Sequence, residues 1–178
     1  MSDDGPSSST DPLELELNGS PLRFHGRIDR LQWLENGRDF RVVDYKTGKK
    51  RGKVKDVFAG GKALQLPIYL LAAADVLLAR DERRGQAEYF YSTRKGGFAR
   101  VAMTGDTLAE HREEFEQIMG GFADAIAHGS FPARPAEYTC KWCDFRSICP
   151  SVDDHKAQMD RKASDPRVQL LNDLGEIE

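Results

Sequence analysis

Leu13, Leu15 and Leu17 alternate with Glu14 and Glu16, the period-two pattern of a strand with one buried face. The turn-forming string Asn18-Gly19-Ser20-Pro21 ends that strand. A second strand is expected through Leu22–Leu34, with Phe24, Gly26 and Ile28 on one face and His25, Arg27 and Asp29 on the other. Glu35-Asn36-Gly37-Arg38 then reads as a hairpin turn. The third strand, Asp39–Tyr45, carries Phe40, Val42, Val43 and Tyr45, a nearly continuous apolar run that places it inside a sheet. A helix is expected over Lys62–Arg80, apolar along Leu64, Leu66, Ile68, Leu70 and Leu71, with Pro67 compatible only with its first turn. Strands at Ala87–Ser92 and Phe98–Met103 flank Arg94-Lys95-Gly96-Gly97. A long amphipathic helix is expected over Thr107–His128, opened by a Thr107/Glu110 capping box and stopped by Gly129. Its buried stripe would be Leu108, Phe115, Met119, Phe122 and Ile126. The order βββ-α-ββ-α predicts an α/β fold with a mixed central β-sheet flanked by helices.

The polar segments set the organisation. Residues 1–12 are rich in Ser, Asp and Pro and read as a flexible leader. Residues 13–135 form the expected α/β core, residues 136–155 a Cys-rich metal-binding clasp, and residues 156–178 an acidic tail. With 178 residues the chain is long enough for one domain and a small appendage. Its 26 basic and 29 acidic residues leave a net charge of −3, which excludes a uniformly basic nucleic-acid coat, so any contact with phosphate must come from a local patch. No apolar run approaches the ~18 residues of a membrane span, and the N-terminus has no basic-then-apolar export pattern, so a cytoplasmic location is expected.

One such patch is present. Lys46–Lys55 holds six basic residues in ten and no acid: Lys46, Lys49, Lys50, Arg51, Lys53 and Lys55. A run of this kind is usually a solvated loop. Here it abuts Asp44 and Lys46, which lie two apart on one strand and so share a face, with Cα atoms roughly 6.6 Å apart. A carboxylate at that strand end can ligate a hard cation, and an ammonium beside it can orient a water or meet charge developing on a phosphate. Asp29, from the neighbouring strand, is placed to join it. Two carboxylates, a lysine and the backbone carbonyl of Tyr45 suit Mg2+ or Mn2+ better than zinc. An isolated Asp-x-Lys triplet is most often a surface ion pair. Gln65 and Tyr69, four apart on one helical face, read alone as a buried polar network. His25 lies roughly 13 Å along the strand from Asp29 and is expected to be structural or to face DNA.

Read in order, Gly26-Arg27-Ile28-Asp29-Arg30, Val42-Val43-Asp44-Tyr45-Lys46-Thr47-Gly48 and Gln65-Leu66-Pro67-Ile68-Tyr69 resemble the PD-(D/E)XK nuclease superfamily, in particular its RecB- and AddB-type exonuclease domains. The resemblance spans roughly residues 22–150 and implies a restriction-endonuclease-like fold. It implies metal-ligand roles for Asp29 and Asp44, a catalytic role for Lys46, and a role for Gln65 and Tyr69 in holding DNA and the active site. The family's further ligand, a His or Glu on a helix ahead of the first motif strand, has no counterpart in residues 1–12, so the chain is expected to be the C-terminal piece of a longer nuclease or a divergent form.

Cys140, Cys143 and Cys149 form a C-x2-C-x5-C run. Three thiols within ten residues suit zinc or an iron–sulfur cluster, both of which need a fourth ligand. The resemblance implies three ligands of a [4Fe-4S] cluster, whose fourth Cys would lie upstream. His155, six residues beyond Cys149, offers a Cys3His zinc site as the alternative.

The leading expectation is therefore a divalent-metal-dependent deoxyribonuclease domain, the exonuclease part of a repair and recombination helicase–nuclease. DNA would be its substrate, a helicase subunit or upstream domain its partner, and Lys49, Lys50, Arg51, Lys53 and Lys55 its phosphate-holding track, with Arg94 and Lys95 extending it. The alternative is a catalytically incomplete DNA-binding or interaction module that retains the nuclease fold.

Overall fold

The computed structural model describes residues 11–17, 19–50, 57–131, 140–145, 147–149, 154, 157 and 160–176. Two antiparallel strands, β1 (Leu13–Leu17) and β2 (Ser20–Phe24), form a separate hairpin. The main sheet has the order β3-β4-β5-β6, from β3 (Arg30–Trp33), β4 (Phe40–Lys46), β5 (Gly85–Tyr91) and β6 (Arg100–Thr104). It is mixed, as expected: β4 and β5 run parallel, while β3 and β6 pair antiparallel at the edges. A parallel pair needs a crossover. Helix α1 (Gln65–Ala72) supplies it and continues as a π-helical turn over Ala73–Leu78, ending at Ala79 in the left-handed region. After β6 come α2 (Gly105–Glu110), α3 (Arg112–Ala127) and, near the C-terminus, α4 (Pro166–Glu176).

Several expected boundaries move. The single strand foreseen over Leu22–Leu34 is two strands in two different sheets, separated at residues 25–29, where Gly26 offers no side chain to pack. The helix foreseen from Lys62 begins at Gln65, which puts Pro67 in the first turn, where a helix owes no N–H bond. The long second helix breaks at His111, and its cap is Thr104, whose Oγ1 accepts the Thr107 N–H at 3.1 Å, in place of Thr107 itself. Ile126 is 55% exposed, and Ile118, Ala123 and Ala125 are buried in the stripe where it was expected. The segment read as an acidic tail contains α4, where Val168 and Leu174 are buried and Leu174 closes on α3; a Cβ on Gly121 would stand 2.5 Å from Leu174.

The core forms where α1, α2 and α3 meet one sheet face: Phe40, Val42, Ala87, Phe58, Leu70, Leu108, Phe115 and Ile118 are buried together. Gly85 is required there, because a Cβ would lie 2.2 Å from the Phe40 ring and 2.5 Å from Leu70. Alternation along β4 carries this face on to the end of the strand. Phe40 and Val42 point at α1, so Asp44 and Lys46 point the same way, at the rim of the core. Val43 and Tyr45 face the opposite side with Glu88, a 3% exposed carboxylate covered by Arg100 and, at 4.0 Å, Arg41. Among the described residues no helix is long and apolar enough to cross a membrane.

Candidate active site

At the C-terminal end of β4 the buried strand opens to solvent, and Asp44, only 5% exposed, sits at that boundary. The first turn of α1 stands over it. Gln65 Nε2 donates to Asp44 Oδ1 at 3.0 Å, Lys46 Nζ donates to Gln65 Oε1 at 3.0 Å, and Lys46 Nζ lies 2.6 Å from Asp44 Oδ2. These contacts close a ring of carboxylate, amide and ammonium. Gln65 Nε2 also donates to Tyr69 Oη at 3.0 Å, so both amide hydrogens and the amide oxygen are used. Tyr69, one turn on, holds the amide from behind.

The Lys46–Asp44 contact is close in distance, but its angle makes no hydrogen bond, and Asp44 Oδ2 is a buried oxygen without a hydrogen-bond donor. The Lys46 ammonium thus balances the charge of this carboxylate, while Oδ2 keeps hydrogen-bonding capacity for a further ligand. Asp29 arrives from just ahead of β3: its Oδ2 accepts the Tyr45 N–H at 3.0 Å, which sets an exposed carboxylate against the Asp44–Tyr45 peptide. Tyr45 itself can serve only through its backbone, because its ring stands on the other sheet face, 5.9 Å from that of Phe90.

Tyr89 belongs to this site, although its sequence neighbourhood carries no motif. It is the register partner of Asp44 on β5, and its ring lies 4.8 Å from Lys46 Nζ. Burial, reinforced by the Asp44 charge, pushes its phenol from the usual 10.0 up to about 12. Only knowledge that β4 and β5 pair in parallel register could have found it.

The other expected residues are less convergent. Lys49 and Lys50 are exposed beyond Lys46, while Arg51, Lys53, Lys55 and His155 lie outside the described residues. His25 is exposed. Cys140 is partly buried and Cys143 and Cys149 are exposed; the Cys143 N–H reaches the Cys140 carbonyl at 3.4 Å, a tight turn at the start of the run. Among the described residues no group of three or more His, Cys, Asp or Glu side chains comes together to hold a metal ion. Among the described residues the three cysteines are therefore not gathered into such a group, and Asp29 meets the strand of Asp44 through the Tyr45 N–H.

A family model described as the PD-(D/E)XK nuclease superfamily matches residues 3–150, which include every residue of the ring. The chain belongs to the PD-(D/E)XK nuclease superfamily. Nucleases of this superfamily generally use divalent metals such as Mg2+, and the mixed sheet with its helices is the restriction-endonuclease-like arrangement of the family. The chain is 37% identical over 81 residues to an ATP-dependent helicase/deoxyribonuclease subunit of Alkaliphilus metalliredigens, a match covering 43% of this chain and 7% of that protein. The subunit of the same name from Ruminiclostridium cellulolyticum is 44% identical over 71 residues, 38% of this chain and 6% of its own. That of Thermoanaerobacter sp. is 45% identical over 62 residues, 33% and 5%. The matches thus span less than a tenth of the length of these relatives. No solved structure matches the chain.

Proposed function

We propose that this chain is the exonuclease part of a cytoplasmic DNA repair and recombination helicase–nuclease, hydrolysing DNA phosphodiesters with Mg2+ or Mn2+, and that a helicase subunit or an upstream domain is its partner. The observation that carries this reading is the donorless, buried Oδ2 of Asp44 beside an ammonium that Gln65 holds in place. Asp44 Oδ2, the Asp29 carboxylate and the Tyr45 carbonyl are the oxygens that would hold the cation, and hard oxygen donors fit it. When bound, the cation would supply charge stabilisation at the phosphate oxygens.

The chain's own residues do the rest. Lys46 has three N–H donors, of which one goes to Gln65 Oε1, so an N–H remains for a water beside Asp44. That water, oriented by Lys46, attacks phosphorus, its hydroxyl stays on phosphorus as the ester P–O bond breaks, and its proton passes to the departing oxygen. Gln65 and Tyr69 fix the ammonium so that no reorganisation is needed as charge develops. Lys49, Lys50, Arg51, Lys53 and Lys55 would steer the phosphate backbone in, with strong salt dependence and no base preference.

Cys140, Cys143 and Cys149 are proposed to hold a structural [4Fe-4S] cluster, the tight Cys140–Cys143 turn being its support, with zinc completed by His155 as the alternative. Absorbance with metal analysis separates the two.

Labelled DNA incubated with Mg2+ or Mn2+ and wild-type, Lys46→Ala or Asp44→Asn protein tests the catalytic reading. Cleavage by wild type alone supports it, and equal cleavage by all three overturns it. The second reading is a binding module that keeps the nuclease fold without activity. DNA binding with no cleavage by wild type would establish it.

A further inference from the structure

The turn between β5 and β6 is anchored to the active strand in a way that phosphodiester hydrolysis does not itself require. Ser92 N–H donates to the Lys46 carbonyl at 3.0 Å, and Thr93 Oγ1 donates to the Thr47 carbonyl at 3.2 Å. The same Thr93 hydroxyl accepts the Gly96 N–H at 3.2 Å, capping a 3-10 turn over Arg94–Gly96. Gly96 is packed so tightly that a Cβ would lie 2.6 Å from Tyr91 Cβ and 3.0 Å from the Gly48 carbonyl. Two hydrogen bonds and this packing thus tie the turn to the segment Lys46–Gly48.

What this turn presents is specific. Arg94 and Lys95 are exposed, and Phe98 is 58% exposed with φ at +50°, a left-handed conformation that a bulky side chain adopts only at an energetic cost. Glycine fills the preceding position at φ +67°, so the turn pairs a glycine where it suits the backbone with an aromatic where it does not. Phe98 is thus a strained, solvent-facing ring outside the buried core. Two cations beside it complement a phosphate backbone and disfavour an apolar protein partner, and an aromatic face with adjacent cations is the chemistry that binds unpaired bases.

We infer that the 93–99 turn is a stacking platform for single-stranded nucleic acid: Phe98 receives an unpaired base next to the linkage held at Asp44 and Lys46, while Arg94 and Lys95 hold the flanking phosphates. This rests on the active-site reading above and adds the substrate form, a single strand or frayed end. Within an intact duplex the interior base faces are already stacked, so along its length the ring has nothing to receive.

The test uses the whole chain, without divalent metal, and single-stranded oligodeoxynucleotides carrying one 2-aminopurine at successive positions. Wild type is expected to quench the probe at one position. Phe98→Ala is expected to lose that quench and to bind single strands about 5- to 150-fold more weakly, with blunt duplex binding little changed. Phe98→Trp should retain both. Phe98→Gly separates strain from stacking: it should raise the melting temperature while binding as Phe98→Ala does. Unchanged single-strand binding by Phe98→Ala, an equal loss on blunt duplex, or concentration-dependent self-association abolished by Phe98→Ala would each overturn the inference. Lys46→Ala keeps the two claims apart, since it should lose the cleavage measured separately with Mg2+ and retain the metal-free quench; failure of wild type to cleave with Mg2+ would count against the catalytic proposal and leave the quench to decide this one.

Discussion

Replacing Gln65 with Met keeps most of the side chain's volume and removes every polar contact that its amide makes. Three hydrogen bonds go: to Asp44 Oδ1, from Lys46 Nζ and to Tyr69 Oη, each at 3.0 Å in the wild type. Two of them involve charged groups, and such bonds contribute about 1.5–3 kcal/mol each. Lys46 is 35% exposed and regains water, so its bond counts for little. Asp44 Oδ1 regains none, and Oδ2 already has no donor. The net expectation is a loss of about 2–3 kcal/mol, dominated by the Asp44 bond, seen as a Tm lower by roughly 4–12 °C in a domain of this size. Cleavage should fall about 10- to 100-fold through misplacement of the Lys46 ammonium, with the loss in kcat. The assay is a double-mutant cycle in urea unfolding and in kcat/KM, pairing Gln65→Met with Lys46→Met. Coupling above about 0.5 kcal/mol is expected in both, because the residues share one ring. Additive losses in kcat/KM would refute the argument that Gln65 acts by positioning Lys46.

Three other measurements probe the same contacts and the packing around them. Tyr89 holds its proton to about 12 against 10.0 when unperturbed, so the folded state binds a proton that the unfolded state releases. Its contribution to stability is whole below pH 10 and disappears as pH rises to about 12; the urea midpoint of wild type should drop across that window more than that of Tyr89→Phe. Gly96→Ala forces a Cβ against Tyr91 and the Gly48 carbonyl, with an expected cost of about 1–3 kcal/mol by thermal melting and slower cleavage as the turn lifts from Lys46–Gly48. Leu174→Ala empties the contact over Gly121 and should cost about 2–4 kcal/mol, with earlier proteolytic cutting ahead of α4; unchanged resistance would show that α4 is not part of the fold.

Local pattern by itself determined the parts of this protein whose physics is local. The central strand Phe40–Lys46, the crossover helix with Pro67 near its start, and the Asp44/Lys46 pair on one face all follow from alternation and helical spacing along short stretches of chain. Asp44, Lys46, Gln65 and Tyr69 sit on such elements, and their ordered motif strings carried the resemblance to a nuclease family, whereas Asp29 lies just ahead of β3, where the expected continuous strand is broken. Only the tertiary structure decided which elements pair and what they share. That β1 and β2 form their own hairpin, that α4 closes on Gly121, and that Ala125 is buried where Ile126 was expected depend on contacts between residues far apart in the chain. Tyr89 reaches Lys46 through the parallel register of β5 on β4, and the 93–98 turn reaches Thr47 across 46 residues of sequence. Side-chain periodicity specifies which face a residue takes; it carries no information about the partner across the gap, because that is set by the packing of the whole core.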